Sequence, residues 1–443
     1  MPTSVLALVT LATKVAAAGV TYLFTLILAR TMKVSDFGVV GTLMSATFLF
    51  SVAGSLGQRI ALLRFVPQYM DNPDRSILTS LIGRAFAVAA VGTALPWLAL
   101  SIGAGIAGAY GLVDHWAILA LGFVLIPLQG WVDMQAHLSR AYHAIVLALL
   151  PKEVLWRAIA GVCVLGVFFA NSGAKVSLST VVALLVVILL ALILGQLYLM
   201  YRTLAIPRIN LIRTPTIPED WRSTIVPFWL FSLSSILFLN ADVIVVGLMF
   251  GGEQAGYYFV ANRISVLLTF FSMSYNIVIG PMLPSAFHSG SVDKVRAIVF
   301  NATYNCFLPT AVAGLAILIL APYILRLFGG AFDQATAVLQ LLVVANVINA
   351  GFGPSDIVLN MCGREREAMK TNIATMIVGI LLILAAGWAF GPVGVAAGVV
   401  GAVTVKKLAM WLQAAWLLEI RTDVAAAIGH MVNSSNGARV RRS

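Results

Sequence analysis

In twelve places the chain runs for about twenty residues with almost no charge, and few structures can accommodate that pattern. The runs fall near 6–29, 37–58, 85–108, 116–136, 149–170 and 178–200, then near 225–250, 255–280, 298–321, 335–358, 368–390 and 392–418. Each is long enough, as a helix, to cross about 30 Å of hydrocarbon. Only helices and closed barrels satisfy their own backbone hydrogen bonds in lipid, and runs of this length are helical. With 60% of residues apolar and 10% charged, the chain has too little polar surface to keep 443 residues in water. The expected fold is therefore an all-α membrane protein of about twelve transmembrane helices.

The charges that remain set the topology. Of 28 Lys and Arg residues, twenty lie in connections after even-numbered runs or in the tail, and four (Arg30, Lys33, Lys175, Arg326) after odd-numbered runs. Short cytoplasmic loops are enriched in Lys and Arg, so both termini are expected on the cytoplasmic side. Cations spread through short gaps do not form the single basic face of a nucleic-acid binder, despite a formal charge of +11. Met1 to Leu11 is uncharged and Lys14 interrupts a run continuing to Ala29, the pattern of an uncleaved first span. The polar, proline-bearing connection 202–222 separates six-helix lobes at 1–201 and 223–419, with a basic tail over 420–443.

The lobes carry matching fragments. Phe37-Gly38 matches Ala255-Gly256, Pro67 matches Pro284, and Asp74-Arg75 matches Asp293-Lys294, at offsets of 218, 217 and 219. A near-constant offset close to half the chain indicates duplication of a six-helix unit. An even number of spans per unit makes the copies parallel, an arrangement transporters use around a central cavity.

A charge at mid-bilayer costs about 2.5 to 3.5 kcal/mol, so it normally faces a bundle or a wet cavity. On the fourth span Gln129, Asp133, His137 and Arg140 fall within one 80° sector of an ideal helix, and on the tenth so do Asn346, Asn349, Asp356 and Asn360, with Gly353 among them. These stripes either line a cavity or join neighbouring helices. Asp242 and Arg263 sit at similar depth on adjacent antiparallel spans and are expected to pair, either structurally or in coupling to a proton or Na⁺. Lys14, Arg263, Lys406 and Lys407 are the cations inside apolar runs. Lys406 and Lys407 divide the last run; either one continuous span carries them, or the span stops near Val405 and 408–418 lies along the interface.

Catalysis finds little support. Cys163, Cys306 and Cys362 are far apart, His115, His143, His288 and His430 lack metal-ligand spacing, and no P-loop, nucleophile elbow or GxGxxG occurs. No cofactor or metal is expected. External connections under about fifteen residues leave no room for the catalytic loop of a membrane polymerase or glycosyltransferase.

Ala29-Arg30 followed by Ser35-Asp36-Phe37-Gly38 resembles the first loop of Wzx-type oligosaccharide flippases, and Gly251-Gly252 with Ala255-Gly256-Tyr257-Tyr258, Arg263 and Pro284 resembles the same place in their second half. These flippases belong to the multidrug/oligosaccharidyl-lipid/polysaccharide exporter superfamily. The resemblance implies two six-helix lobes around a central cavity, alternating access, and passage of an undecaprenyl-pyrophosphate-linked oligosaccharide across the bacterial inner membrane for O-antigen or exopolysaccharide synthesis. It further implies a proton or Na⁺ counter-ion and polysaccharide polymerase machinery as candidate partners. A pyrophosphate needs cations that replace its water, and Lys14, Arg263, Lys406 and Lys407 are the candidates. Lipid II flippases, similar in fold, carry arginines in the first helix, where this chain has Lys14 alone. The competing function within the superfamily is an antiporter for organic cations, which needs a net acidic lumen.

Overall fold

A computed structural model describes residues 3–70, 75–111, 116–204, 221–289 and 291–429. Most of the predicted linker and the tail from residue 430 onward lie outside the described residues.

All regular secondary structure among the described residues is helical. The first helices are α1 (Thr3–Thr31), α2 (Val34–Gly54), α3 (Gln58–Tyr69), α4 (Arg75–Ala109), α5 (Trp116–Phe123) and α6 (Leu125–Ala141). Then come α7 (Ile145–Leu149), a π-helical turn at Leu150–Leu155, α8 (Trp156–Ala170), α9 (Leu178–Thr203) and α10 (Trp221–Val266). The remainder comprises α11 (Thr269–His288), α12 (Val292–Arg326), a 3-10 turn at Gly330–Ala335, α13 (Thr336–Gly351), α14 (Ser355–Met361) and α15 (Glu365–Leu418).

Ten segments among the described residues are long and apolar enough to cross a membrane, and two of them, Ile225–Gly280 and Glu365–Leu418, are 56 and 54 residues long. At 1.5 Å per residue each would span about 80 Å, more than twice the hydrocarbon thickness. Each contains a helix break at a glycine: Gly251 (φ 80°, ψ 179°) and Gly391 (φ 67°, ψ −153°). Both conformations belong to a region essentially closed to residues with a Cβ. Divided at these breaks, the segments give the twelve spans that hydropathy predicts. Beyond Gly391 the chain folds back on itself, so that a Cβ on Gly394 would meet the Ala386 carbonyl oxygen at 1.9 Å and one on Gly398 the Ile383 Cα at 2.7 Å. Gly391→Ala should therefore cost about 1 to 3 kcal/mol in backbone strain, read as a lowered melting temperature of the purified protein.

Large apolar side chains face outward, as lipid requires: Trp388, Phe390 and Trp416 are each more than three-quarters exposed, with Leu95, Leu194 and Ile319 similarly turned out. Without a hydrophobic drive between helices in lipid, close packing relies on small residues. Gly54 of α2 and Gly92 of α4 illustrate this, since a Cβ on either would meet the other's carbonyl oxygen at 2.5 and 2.1 Å.

Two compact units divide the chain, 1–247 with 251–256, and 248–250 with 257–443. The first takes in residues 223–247, beyond the sequence-based boundary. The reason is local packing: Trp229 Nε1 donates to the Ala53 carbonyl at 3.1 Å, Gly57 lies against Ile225, and Gly247 against Thr42. Its core is built by α3, α4 and α6 through Leu62, Phe65, Ile82, Ala85, Met134 and Leu138. The core of the second unit joins Leu283, Val295, Val299 and Val358 with Ile420, so the chain just beyond α15 is folded onto that unit.

Candidate functional site

Within the first unit, a cleft of about 360 Å³ is lined by Lys14, Arg59, His137, Arg140, Lys152 and Glu153. Behind its wall lies Asp133, whose side chain is 6% exposed. Lys152 Nζ is 2.8 Å from Asp133 Oδ1, and Arg59 Nη1 is 3.7 Å from Oδ2. Nearer the mouth, Lys14 Nζ donates to Glu153 Oε1 at 2.9 Å. The cleft and its wall thus hold four fixed cations against two carboxylates.

Local structure explains each placement. α6 is buried over most of its length, with Gln129, Asp133, Gln135 and Ser139 all inside. Gln135 Nε2 donates to the Ile193 carbonyl of α9 at 3.1 Å, and Gln196 of α9 donates to the Leu147 carbonyl of α7 at 3.0 Å. Some amides therefore act as helix glue, but from a face of α6 that the stripe does not include. His137 Nδ1 donates to the Asp133 carbonyl at 2.7 Å, fixing its ring beside the carboxylate. Arg59 enters through the turn at Leu56-Gly57, where both residues have positive φ, 45° and 76°.

Lys152 and Glu153 ride on the π-helical turn, which starts at Leu150 and contains Pro151. The wider turn lets consecutive residues reach different partners, Lys152 toward α6 and Glu153 toward α1. Its carbonyls are held from below: Trp156 Nε1 donates to the Lys152 carbonyl and Arg157 Nη1 to the Glu153 carbonyl, both at 2.8 Å. The Arg157 guanidinium sits 4.4 Å from the centre of the Trp156 ring, and that ring meets Phe24 of α1 edge-on at 5.8 Å.

The second unit has its own, smaller site. A cavity of about 100 Å³ is lined by Ser272, Tyr275, Asn276, Asn349, Asp356 and Lys407, among others. Lys407 Nζ donates to Asp356 Oδ1 at 3.2 Å and to the Gly353 carbonyl at 3.3 Å. That carbonyl is free to accept because the tenth span is not one helix. α13 ends at Gly351, Gly353 has φ +67°, and α14 restarts after Pro354. The break is clamped by the chain beyond α15: Thr422 Oγ1 donates to the Phe352 carbonyl at 2.7 Å, and Thr303 Oγ1 to the Thr422 carbonyl at 2.9 Å.

The sequence-predicted residues disperse accordingly. His137 and Arg140 line the cleft, while Gln129 faces a separate small cavity beside Met44, Phe48 and Trp156. The single stripe Asn346–Asn349–Asp356–Asn360 requires a continuous helix and is corrected by the break at Gly353. Asn346 turns back to the Leu342 carbonyl at 2.9 Å, whereas Asn349 lines the cavity with Asp356. Asp242 is buried in the first unit and accepts from the Val243 N–H at 2.8 Å. In the second unit the Arg263 guanidinium lies 4.6 Å from the Phe259 ring centre. Residues 392–418 form one helix carrying both lysines, of which Lys407 is buried at the cavity and Lys406 is half-buried.

Arg59, Lys152 and Glu153 are the residues that sequence reasoning passed over, counting the two cations as loop charges. The available signal was Pro151-Lys152-Glu153 set inside an apolar stretch, since the helix begins at Ile145 rather than at residue 149.

The sequence matches the family described as "Polysaccharide biosynthesis protein" over residues 4–287, more than half of the chain. No match is found among curated protein sequences. The fold is similar to an inward-facing multidrug-resistance MATE family transporter of the MOP superfamily, with a TM-score of 0.70, 14% identity, and coverage of 89% of this chain and 92% of that one. It is also similar to the lipid II flippase MurJ in an inward closed conformation, with a TM-score of 0.65, 13% identity, and coverage of 91% and 86%. A MATE structure in a bent conformation gives a TM-score of 0.60 at 16% identity, covering 96% of both chains.

Proposed function

We infer, because the chain belongs to the polysaccharide biosynthesis protein family, that it is a flippase carrying an undecaprenyl-pyrophosphate-linked oligosaccharide across the bacterial inner membrane by alternating access. The family match and a fold shared with flippases and multidrug exporters support a multi-pass membrane transporter rather than an enzyme. The substrate, its use in O-antigen or exopolysaccharide synthesis and cytoplasmic termini are our reading.

One observation carries that reading: four cations, Lys14, Arg59, Arg140 and Lys152, converge on one cleft with two carboxylates among them. A diphosphate leaving water needs charged donors to replace its hydration, and Lys and Arg supply them. The second unit's Ser272, Asn276 and Asn349 offer hydrogen-bond partners suited to sugar hydroxyls. Lys407 and Lys406 add positive charge within the second unit, and Arg263 is a further candidate. Asp242 or Asp356 would serve a proton or Na⁺ if transport is ion-coupled.

An exporter of organic cations is the competing reading, and a cationic cleft disfavours it because like charge repels the cargo. The deciding experiment deletes the gene in its host and follows surface polysaccharide and lipid-linked oligosaccharide. Deletion should strip the surface glycan and trap the lipid-linked precursor on the cytoplasmic leaflet. The wild type should restore it; Lys152→Ala, accumulating to wild-type level, should restore less than about a tenth, the loss of one charge-assisted contact. Unchanged glycans with altered drug sensitivity would instead support the exporter.

A further inference from the structure

We propose that Asp133 and Glu153 are internal stand-ins for the substrate's anion, holding the cleft's cations in place when it is empty and yielding them to an entering diphosphate. The idea rests on the anion-site reading above and goes beyond it, by assigning the carboxylates a role.

Four cations gathered on one cleft repel one another, and a charge as buried as that of Arg59, 11% exposed, is unfavourable without a partner. A ligand-free cleft therefore needs counter-charge to keep its shape. Asp133 supplies it to Lys152 and Arg59 together, and Glu153 supplies it to Lys14. The Arg59 contact, at 3.7 Å, is longer than a hydrogen bond, so this guanidinium retains unspent donor capacity.

Exposure runs in the order an exchange requires. The Asp133 side chain is 6% exposed, while those of Lys152 and Lys14 are 24% and 33% exposed, so an anion entering the cleft meets the ammonium groups before the carboxylate behind them. The two carboxylates hold separate cations, and a diphosphate likewise brings two anionic groups joined by one oxygen. Lys152 and Glu153 are also neighbours on the π-helical turn. A π turn changes shape by shifting a hydrogen bond by one residue, and here side chains of Trp156 and Arg157 cap its carbonyls. Because both residues ride on this one turn, a change in its shape alters the Lys152–Asp133 and Glu153–Lys14 contacts together.

The test titrates inorganic pyrophosphate into the purified full-length protein by calorimetry at low salt, with melting temperature followed in parallel. Lys152→Ala should weaken binding about tenfold, whereas Asp133→Asn should tighten it about tenfold by removing the competing anion. Asp133→Asn should also melt lower than wild type without pyrophosphate and gain more than wild type when it is added. If Asp133→Asn does not fold, Glu153→Gln carries the test, with an expected tightening of about threefold. Binding that depends on Lys152 but is equal or weaker in both carboxylate variants overturns the stand-in role and leaves the proposed function intact. Binding indifferent to Lys152, or no binding by wild type and carboxylate variants alike, overturns the inference and the anion site together.

Discussion

Replacing Gly38 with alanine is expected to leave little folded protein in the membrane. A Cβ at this position would sit 1.8 Å from the Gly252 carbonyl oxygen and 2.4 Å from the Gly256 nitrogen. All of these are backbone atoms, so no rotamer change relieves the clash, and the start of α2 would have to move away from residues 252–256. That move would open a run of close approaches, because Gly252 packs on the Ser35 carbonyl, Gly256 on the Val34 carbonyl and Gly247 on Thr42. In lipid such small-residue contacts provide much of the packing between helices. Overpacking in a tight core costs about 1 to 3 kcal/mol, and an unyielding backbone contact lies at or beyond the top of that range. Gly19→Ala is the control, since nothing lies within 4 Å of its Cβ position. That substitution should be neutral or stabilising by up to about 1 kcal/mol through helix propensity. The monodisperse fraction on size exclusion after solubilisation measures both; a wild-type profile for Gly38→Ala would refute the packing argument.

Lys407→Met should destabilise the second unit by about 2 to 4 kcal/mol, slightly below the usual cost of orphaning a buried charge because Asp356 keeps some contact with solvent. Lys407 is buried and spans two acceptors, Asp356 Oδ1 and the Gly353 carbonyl at the helix break. Methionine fills similar volume, removing the charge without leaving a cavity. Asp356 would then face only half-buried Lys406 and the polar cavity. Adding Asp356→Asn to Lys407→Met should recover most of the loss, since a neutral pair of similar shape is tolerated far better than one uncompensated ion. Lys406→Met should cost distinctly less than Lys407→Met. Thermal melting of the three variants against wild type decides the matter, and equal effects for the two lysines would remove Lys407 from its assigned place.

The two sites also differ in a way the internal repeat does not suggest. Their carboxylates come from corresponding spans, Asp133 on the fourth and Asp356 on the tenth, yet Lys152 lies on the fifth span and Lys407 on the twelfth. The two acids are also 223 residues apart, outside the 217–219 offsets of the matching fragments, so neither the acid nor its cation sits at equivalent positions in the two halves.

Asp133, Asp356 and Lys14 were legible in the sequence because a charge inside an apolar run stands out whatever its surroundings. Arg59 and Lys152 were not, because each lies at the edge of a run, where a charge looks like a loop residue. On α6 the periodicity brings His137 and Arg140 to one cleft but leaves Gln129 of the same stripe at another cavity, and it misled where Asn346 and Asp356 were treated as one face across the bend at Gly353.

What the sequence by itself determined is the number of crossings and their approximate places, although the third span begins at Ser76 rather than 85 and the tenth ends at Gly351 rather than 358. Transfer from water to lipid is a local property that sums over about twenty residues and needs no knowledge of neighbours. Only the tertiary structure decided which cation meets which carboxylate. Lys14 and Glu153 are 139 positions apart, and Lys407 and Asp356 are 51 apart. Such pairings depend on how helices pack and on backbone departures, the π turn at Leu150–Leu155 and the left-handed Gly353, that redirect side chains away from any fixed angular period.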